Sequence, residues 1–243
     1  MQLSQQEVHI WSIWLTGSEA TLSSYRSGLS LDERHRAERF SFAKLTRSFT
    51  LSRGGLRILL AHYLGCEPKE IEFTYRAKGK PALRNRSPIC FNASHSGQMA
   101  LYGFTLGCEL GVDVEEIRSL NAAESIAARF FSAQEVSELL SQHPKERGTA
   151  FFRCWTRKEA FIKAIGDGFA IPLNCFQVTL LPKFPARFVH IADKVGTASD
   201  WTLHHLEPAA GYVGAVAYQD NERLMTIHPT VQAEELPEVL QAL

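Results

Sequence analysis

The order of predicted elements constrains this chain more than any single residue: strand, helices, strands, and then strand, helices, strands again. Val8 to Leu15 is rich in β-branched and aromatic residues and reads as a strand. Ser30-Leu-Asp-Glu33 opens a helix in capping-box form that continues to Phe40. A second helix spans about 47–64, with Leu56, Leu59, Leu60, Tyr63 and Leu64 on one side and Gly65 as its stop. Gly54-Gly55 inside it costs about 1 kcal/mol per glycine relative to alanine, so a close neighbour is expected against that backbone. Strands follow at about 70–75, 89–93, 99–106 and 110–115. Helical pattern returns over 122–131, a second capping box at Ser132–Glu135 starts a helix to Ser141, and the strongest helix covers about 146–165. After Pro172 the strand pattern resumes at 176–181, 186–191, 201–206 and 212–218, with a short or frayed helix over 234–243. The reading is α+β: two similar subdomains, 1–107 and 108–243, with strands grouped in runs that favour antiparallel over doubly wound parallel sheets.

Composition narrows the function classes. The 243 residues carry 26 basic and 26 acidic side chains, a balance that argues against a surface tracking nucleic acid or anionic lipid along its whole length. No apolar run approaches the roughly 18 residues of a membrane-spanning helix. The first residues lack the basic patch and apolar core of a signal peptide, so the expected location is cytoplasmic. The cysteines at 66, 90, 108, 154 and 175 are odd in number and show no C-x-x-C spacing, which fits neither a disulfide framework nor a zinc site. His204-His205 reads as the two faces of a strand. G-x-G-x-x-G and G-x-x-x-x-G-K-[ST] are both absent.

Four clusters carry possible chemistry. In Gly111-Val-Asp-Val-Glu115, Asp113 and Glu115 share one strand face while Val112 and Val114 take the other. Paired carboxylates suit Mg²⁺ or Mn²⁺, although they also suit a solvated strand end. In Phe151–Ala164, Glu159 and Lys163 stand four apart beside an apolar stripe, as a third metal carboxylate with a phosphate-facing lysine or as a surface ion pair worth about 0.3–0.5 kcal/mol. Gly79-Lys80-Pro81 with Phe91-Asn-Ala-Ser94-His95-Ser-Gly97 gathers hydroxyls, an imidazole and backbone N–H groups that suit phosphate, or an ordinary polar turn. Arg34, Arg36, Arg39, Lys44, Arg47, Arg53 and Arg57 fall within 24 residues, as a solvated face or half of an anion pocket.

Taken in order, G-V-D-V-E followed by W-x-x-K-E-A-x-x-K-A resembles the 4'-phosphopantetheinyl transferases, in particular the larger surfactin-synthetase-activating type. The upstream G-K-P and F-N-x-S-H-S, the R-F-F-S-x-x-E of Arg129–Glu135 and the G-x-G at 166–168 fit the same family. The resemblance covers about residues 30–175. It implies a pseudo-twofold monomer with coenzyme A in the cleft between the halves. Such an enzyme moves phosphopantetheine to a serine of an apo acyl, polyketide or peptidyl carrier protein and releases adenosine 3',5'-bisphosphate.

By that likeness Asp113, Glu115 and Glu159 hold Mg²⁺, with Mn²⁺ the alternative, and Glu159 accepts the serine proton. Lys158 and Lys163 lie along the pyrophosphate with Ser94 nearby. His95, Arg36 and Arg53 face the 3'-phosphate; Gly79, Lys80 and Pro81 flank the adenine; and residues 117–142 help dock the carrier protein. Two positions depart from the pattern: Glu33 stands where lysine is frequent, and Ser48 where arginine is common. A non-catalytic carrier-binding homologue and another metal-dependent phosphotransfer enzyme are the alternatives.

Overall fold

The computed structural model describes residues 2–76, 79–85, 87–119, 122–166, 171–191, 196–220 and 223–243. Gly168 of the G-x-G pattern and residues 120–121 of the expected docking stretch lie outside them. Strand β1 (Glu7–Trp14) leads to helices α1 (Glu19–Ser27), α2 (Leu31–Glu38) and α3 (Ala43–Leu64). Strands β2 (Phe73–Tyr75), β3 (Pro81–Leu83), β4 (Ile89–Ser96), β5 (Met99–Leu106) and β6 (Leu110–Glu116) follow. Helices α4 (Ala123–Phe130), α5 (Ala133–Leu140) and α6 (Pro144–Ile165) precede strands β7 (Phe176–Val178), β8 (Phe188–Ile191), β9 (Thr202–Leu206) and β10 (Tyr212–Tyr218). The chain closes with β11 (Leu224–Ile227), β12 (Val231–Gln232) and α7 (Leu236–Gln241).

Each half places one 22-residue helix on a sheet, α3 on the first and α6 on the second. Both helices end at a glycine in the left-handed region, Gly65 with φ 65° and Gly166 with φ 75°, where a side chain would be strained. The first sheet runs β11-β1-β5-β4, with β12 also paired to β1; the second runs β6-β10-β9. Strand alternation then builds successive cores. Trp11, Ile13, Tyr102 and Phe104 face α3, whereas Val8, Ile10, Met99 and Leu101 turn toward Val112, Val114, Val216 and Tyr218 of the second sheet. On the far side, Val213, Ala215 and Ala217 pack with Phe161 and Ala164 of α6. The result is four layers, helix–sheet–sheet–helix, with the second sheet sandwiched between the first sheet and α6.

The α+β reading and the paired helix-on-sheet halves agree with the structure. Gly54 and Gly55 have the close neighbours expected of them: a Cβ would lie 2.8 Å from Tyr25 at the first and 2.9 Å from the Tyr102 hydroxyl at the second. The tail departs from expectation. β11 and β12 pair with β1 in parallel, and Val231, Leu236 and Leu240 enter the first half's core. The chain therefore crosses back after β10, and residues 224–241 pack with the first half instead of completing the second. Helix α1 and strand β3 were also absent from the sequence reading, because nine mostly polar residues and a three-residue strand give little periodicity.

Gly111 sets the distance between α6 and its sheet. A Cβ there would overlap the Ala160 carbonyl oxygen and the Ala164 amide nitrogen, and lie 2.8 Å from the Lys163 carbonyl carbon. The helix backbone thus rests directly on β6. Gly111→Ala is expected to lower unfolding free energy in urea by about 3 kcal/mol, as overpacking against backbone that cannot yield. An unchanged urea midpoint would show that α6 can move away freely.

Candidate active site

Strand β4 joins the two halves through side chains. Asn92, Ser94 and Ser96 occupy alternate positions and all reach β6. The Val112 amide donates to Asn92 Oδ1 at 2.9 Å, Ser94 Oγ donates to Asp113 Oδ1 at 2.9 Å, and Ser96 Oγ donates to Glu115 Oε2 at 2.7 Å. Ser96 Oγ also accepts from the Glu116 amide at 3.2 Å. The sequence singled out Ser94 alone; the period-two spacing of Asn92, Ser94 and Ser96 was the signal for the others.

Helix α6 supplies the remaining groups. Glu159 and Lys163 lie one turn apart on the face that Gly111 draws onto β6. Lys163 Nζ contacts Asp113 Oδ1 at 2.6 Å and donates to Ser94 Oγ at 2.9 Å. Asp113 is 4% exposed and Glu159 9%. Burial raises the Glu159 pKa, with Asp113 and Glu115 adding repulsion against the pull of Lys163, and the sum lifts it to about 7. Burial also raises Glu115; the Ser96 hydrogen bond opposes this, and Asp113 adds to it.

Two buried carboxylate oxygens here, Asp113 Oδ2 and Glu159 Oε1, have no hydrogen-bond partner. Orphaned anionic oxygens in a dry site are costly unless a cation or proton meets them. Among the described residues, no three His, Cys, Asp or Glu side chains are grouped so as to hold a metal ion by themselves. An incomplete oxygen-only set nonetheless fits Mg²⁺ or Mn²⁺, because Mg²⁺ takes one or two carboxylates and completes its shell with water and substrate phosphate. Asp113 and Glu159 carry the orphaned oxygens that suit it, and Glu115 lies beside them near the end of β6.

A cavity of about 240 Å³ opens on the first half, lined among others by Arg36, Arg53, Tyr75, Gly79, Pro81 and His95. Five of these were expected to meet a nucleotide, and the fold brings them together from α2, α3, Gly79 with the start of β3, and β4. His95 points opposite to Ser94, as alternation requires, so one strand end serves both cavity and acidic cluster. Burial and then the Lys163 charge lower its pKa. Arg36 lies over the Phe49 ring at 5.2 Å, and among the described residues it has no carboxylate partner. Arg53 donates to Tyr75 Oη at 2.7 Å and to Glu33 at 2.5 Å. Glu33, the departure from the family pattern, is buried as the pivot of its capping box and of both Arg53 and Arg57. Burial works to raise its pKa, and the two guanidiniums outweigh it and lower it. Ser48 instead lines a separate hollow with Lys44 and Gly97, while Arg47 beside it pairs with Glu19 at 2.6 Å.

Two expected ligand contacts are corrected. Lys158 does not lie along the cleft: it is fully buried on the opposite side of α6, 2.8 Å from Glu135. Successive helix residues point about 100° apart, so Lys158 and Glu159 cannot share a face. Lys80 likewise turns away from the cavity that its neighbours line. Its ammonium binds Glu109 at 2.8 Å and the carbonyls of Leu110 and Ala164 at 3.0 and 3.2 Å, pinning the first half to the C-terminal end of α6. Burial lowers its pKa, and Glu109 opposes the shift.

Comparison with known proteins places these features in context. The family model described as "4'-phosphopantetheinyl transferase superfamily" matches residues 109–217, and "4'-phosphopantetheinyl transferase, N-terminal" matches residues 13–103. The 4'-phosphopantetheinyl transferase HetI of Nostoc sp. is 40% identical over 220 residues, covering 89% of this chain and 90% of that protein. The 4'-phosphopantetheinyl transferase Sfp of Bacillus subtilis is 30% identical over 156 residues, 64% of this chain and 68% of its own. The solved holo-[acyl-carrier-protein] synthase of Thermotoga maritima covers 46% of this chain and 63% of its own at 18% identity, with a TM-score of 0.35.

The raised Glu159 pKa has a consequence for stability without bound cation. Below about pH 4.5 the carboxyl is protonated in folded and unfolded chains alike, and its contribution is intact. As pH rises through about 7 the unfolded chain loses the proton more readily, so stability is lost. Glu159→Gln removes that loss. Its melting temperature in EDTA should gain on the parent between pH 5 and 8, by an amount equivalent to at most about 3 kcal/mol. A constant difference across this range would contradict the assignment.

Proposed function

The chain belongs to the 4'-phosphopantetheinyl transferase family, enzymes that modify carrier proteins, and on that premise we propose how this chain performs the transfer. It takes the 4'-phosphopantetheine arm of coenzyme A to a serine hydroxyl of an apo acyl, polyketide or peptidyl carrier protein. Adenosine 3',5'-bisphosphate leaves. The observation that carries this reading is the pair of partnerless buried oxygens on Asp113 and Glu159, set beside the Lys163 ammonium.

The serine oxygen attacks the phosphorus that bears the pantetheine arm, and the bond from that phosphorus to the bridging oxygen of the pyrophosphate breaks. Glu159 accepts the serine proton, the task of a general base set beside the attacking hydroxyl. Lys163, fixed by Asp113 and Ser94, lies along the pyrophosphate and meets the negative charge growing on the leaving phosphate. Asp113, Glu115 and Glu159 would hold Mg²⁺, which supplies charge neutralisation of the diphosphate and alignment of the two reactants. Arg36, Arg53 and His95 receive the 3'-phosphate in the cavity, and Gly79 and Pro81 flank the adenine. Gly79, at φ 84°, permits a turn there that other residues rarely adopt.

Carrier proteins would dock along residues 117–142, where a groove of about 480 Å³ is lined by Arg118, Lys145, Arg147 and Ile117 beside the end of β6. Arg118 and Lys145 there suit an acidic partner, while Arg147 is paired with Glu124 of the same groove at 2.7 Å. The chain is proposed to act as a monomer in which residues 1–107, joined by the returning tail, and the segment from 108 to β10 enclose the cleft.

Purified protein with coenzyme A, Mg²⁺ and an apo carrier protein should add one phosphopantetheine to the carrier, read by intact mass. Glu159→Gln should slow transfer by about 10²–10⁴-fold, the span of a lost general base. His95→Ala should raise the KM for coenzyme A and leave kcat nearly unchanged. Full activity of Glu159→Gln would remove the proposed site; tight carrier binding with no mass gain would favour a non-catalytic homologue.

A further inference from the structure

Two sequence motifs are left without work by the transfer site: the Glu of R-F-F-S-x-x-E and the Lys of K-E-A. The fold pairs them with each other. Glu135 and Lys158 are both 0% exposed and their charged atoms are 2.8 Å apart. Glu135 Oε2 accepts from the Ser132 amide at 2.7 Å, closing the cap of α5, and Oε1 accepts from the Val178 amide of β7 at 2.9 Å. Lys158 Nζ donates to the carbonyls of Leu173 and Phe176 at 2.8 and 2.7 Å and meets Glu135 with its third proton. The Phe176 ring lies 4.3 Å from the same ammonium. One buried pair therefore ties α5, the 173–178 segment and α6 at a single point, one residue from Glu159.

We infer that Glu135 and Lys158 are positioning residues for the transfer, fixing the height and rotation of α6 so that Glu159 and Lys163 meet the reacting groups. This rests on the site proposed above. A buried ion pair gives little net stability compared with apolar side chains of the same volume, so stability alone is a poor account of its presence. What it adds is direction: five polar contacts, each with a preferred geometry, where an apolar core would allow the helix to slide or turn. On the other face Lys163 meets Asp113 and Ser94 where Gly111 lets the α6 backbone rest on β6, and Glu135 with Lys158 holds the same helix from behind.

The test is the double substitution Glu135→Gln/Lys158→Met, which keeps side-chain volume and leaves no unpaired buried charge. At saturating carrier protein its kcat should fall about 10–100-fold, the loss expected from misplacing a catalytic group by about 1 Å. The coenzyme A dissociation constant, read by calorimetry, should stay within about twofold, and the melting temperature should stay within a few degrees, as follows if only alignment is lost. A kcat within twofold of the parent overturns the inference, as does a coenzyme A affinity that falls in step with kcat. Should the double variant not fold, Glu135→Gln alone, which keeps an acceptor for the lysine, is read in the same way with a loss of about 3–10-fold expected. Glu159→Gln separates the two levels. If it is inactive while the double variant is fully active, the positioning role fails alone; if it is itself fully active, the underlying site fails and the positioning role with it.

Discussion

The contact between the α6 backbone and Gly111 governs the rest of this structure. Most helices stand off a sheet by the thickness of two side chains, but here the helix backbone rests on the strand. That approach places Glu159 and Lys163 among Asp113, Glu115 and Ser94, which lie at fixed positions along β6 and β4. The same glycine begins the G-V-D-V-E motif, so the residue that permits the approach and those that use it lie on one short strand. Ser94 and Ser96 then fix the first half to those carboxylates, and Lys80 fixes it to the end of α6. A displacement of either half would therefore disturb the acidic cluster directly.

Charge is distributed with equal economy. The sum of 26 acids and 26 bases conceals a division between charges that hold the fold and charges that await a ligand. Glu33 holds Arg53 and Arg57, Glu109 holds Lys80 and Arg76, and Glu135 holds Lys158. Removing those pairs leaves excess negative charge where Asp113, Glu115 and Glu159 crowd a single lysine, and leaves Arg36 without a carboxylate partner in the cavity that His95 also lines. A diphosphate carrying an additional phosphate, with a divalent cation, matches that division: the cation meets the acids, and the phosphates meet the bases.

How much of this the sequence discloses depends on the physical signal available. Periodicity placed β1, β5, β6, β10, α3 and α6, because each presents a long stripe to a core. The carboxylate pair at 113 and 115 was legible from strand alternation, and Glu159–Lys163 from helical spacing. The direction of Lys158 was not. It adjoins Glu159 in the chain, and α6 buries residues on both sides, so no amphipathic boundary marks which faces the cleft. Lys80 is a similar case, since its neighbours Gly79 and Pro81 line the cavity while its ammonium is held by Glu109 and the Leu110 and Ala164 carbonyls, distant partners that local pattern does not mark. The return of β11 and β12 to β1 is a long-range pairing of short strands, and local pattern carries no information about such partners. Glu33 illustrates the converse: an acidic residue in a basic helix looks anomalous, yet its partners Arg53 and Arg57, about three and four turns into α3, explain it.

The central claim is that a divalent cation and coenzyme A meet at the join of β6, β4 and α6. Anomalous diffraction from crystals grown with Mn²⁺ and coenzyme A tests it most directly. The account predicts a single manganese peak at bonding distance from the Asp113 and Glu159 carboxylates, with the pyrophosphate beside Lys163 and the 3'-phosphate between Arg36 and His95. Manganese held elsewhere, or coenzyme A bound away from β4 with these carboxylates untouched, would contradict it.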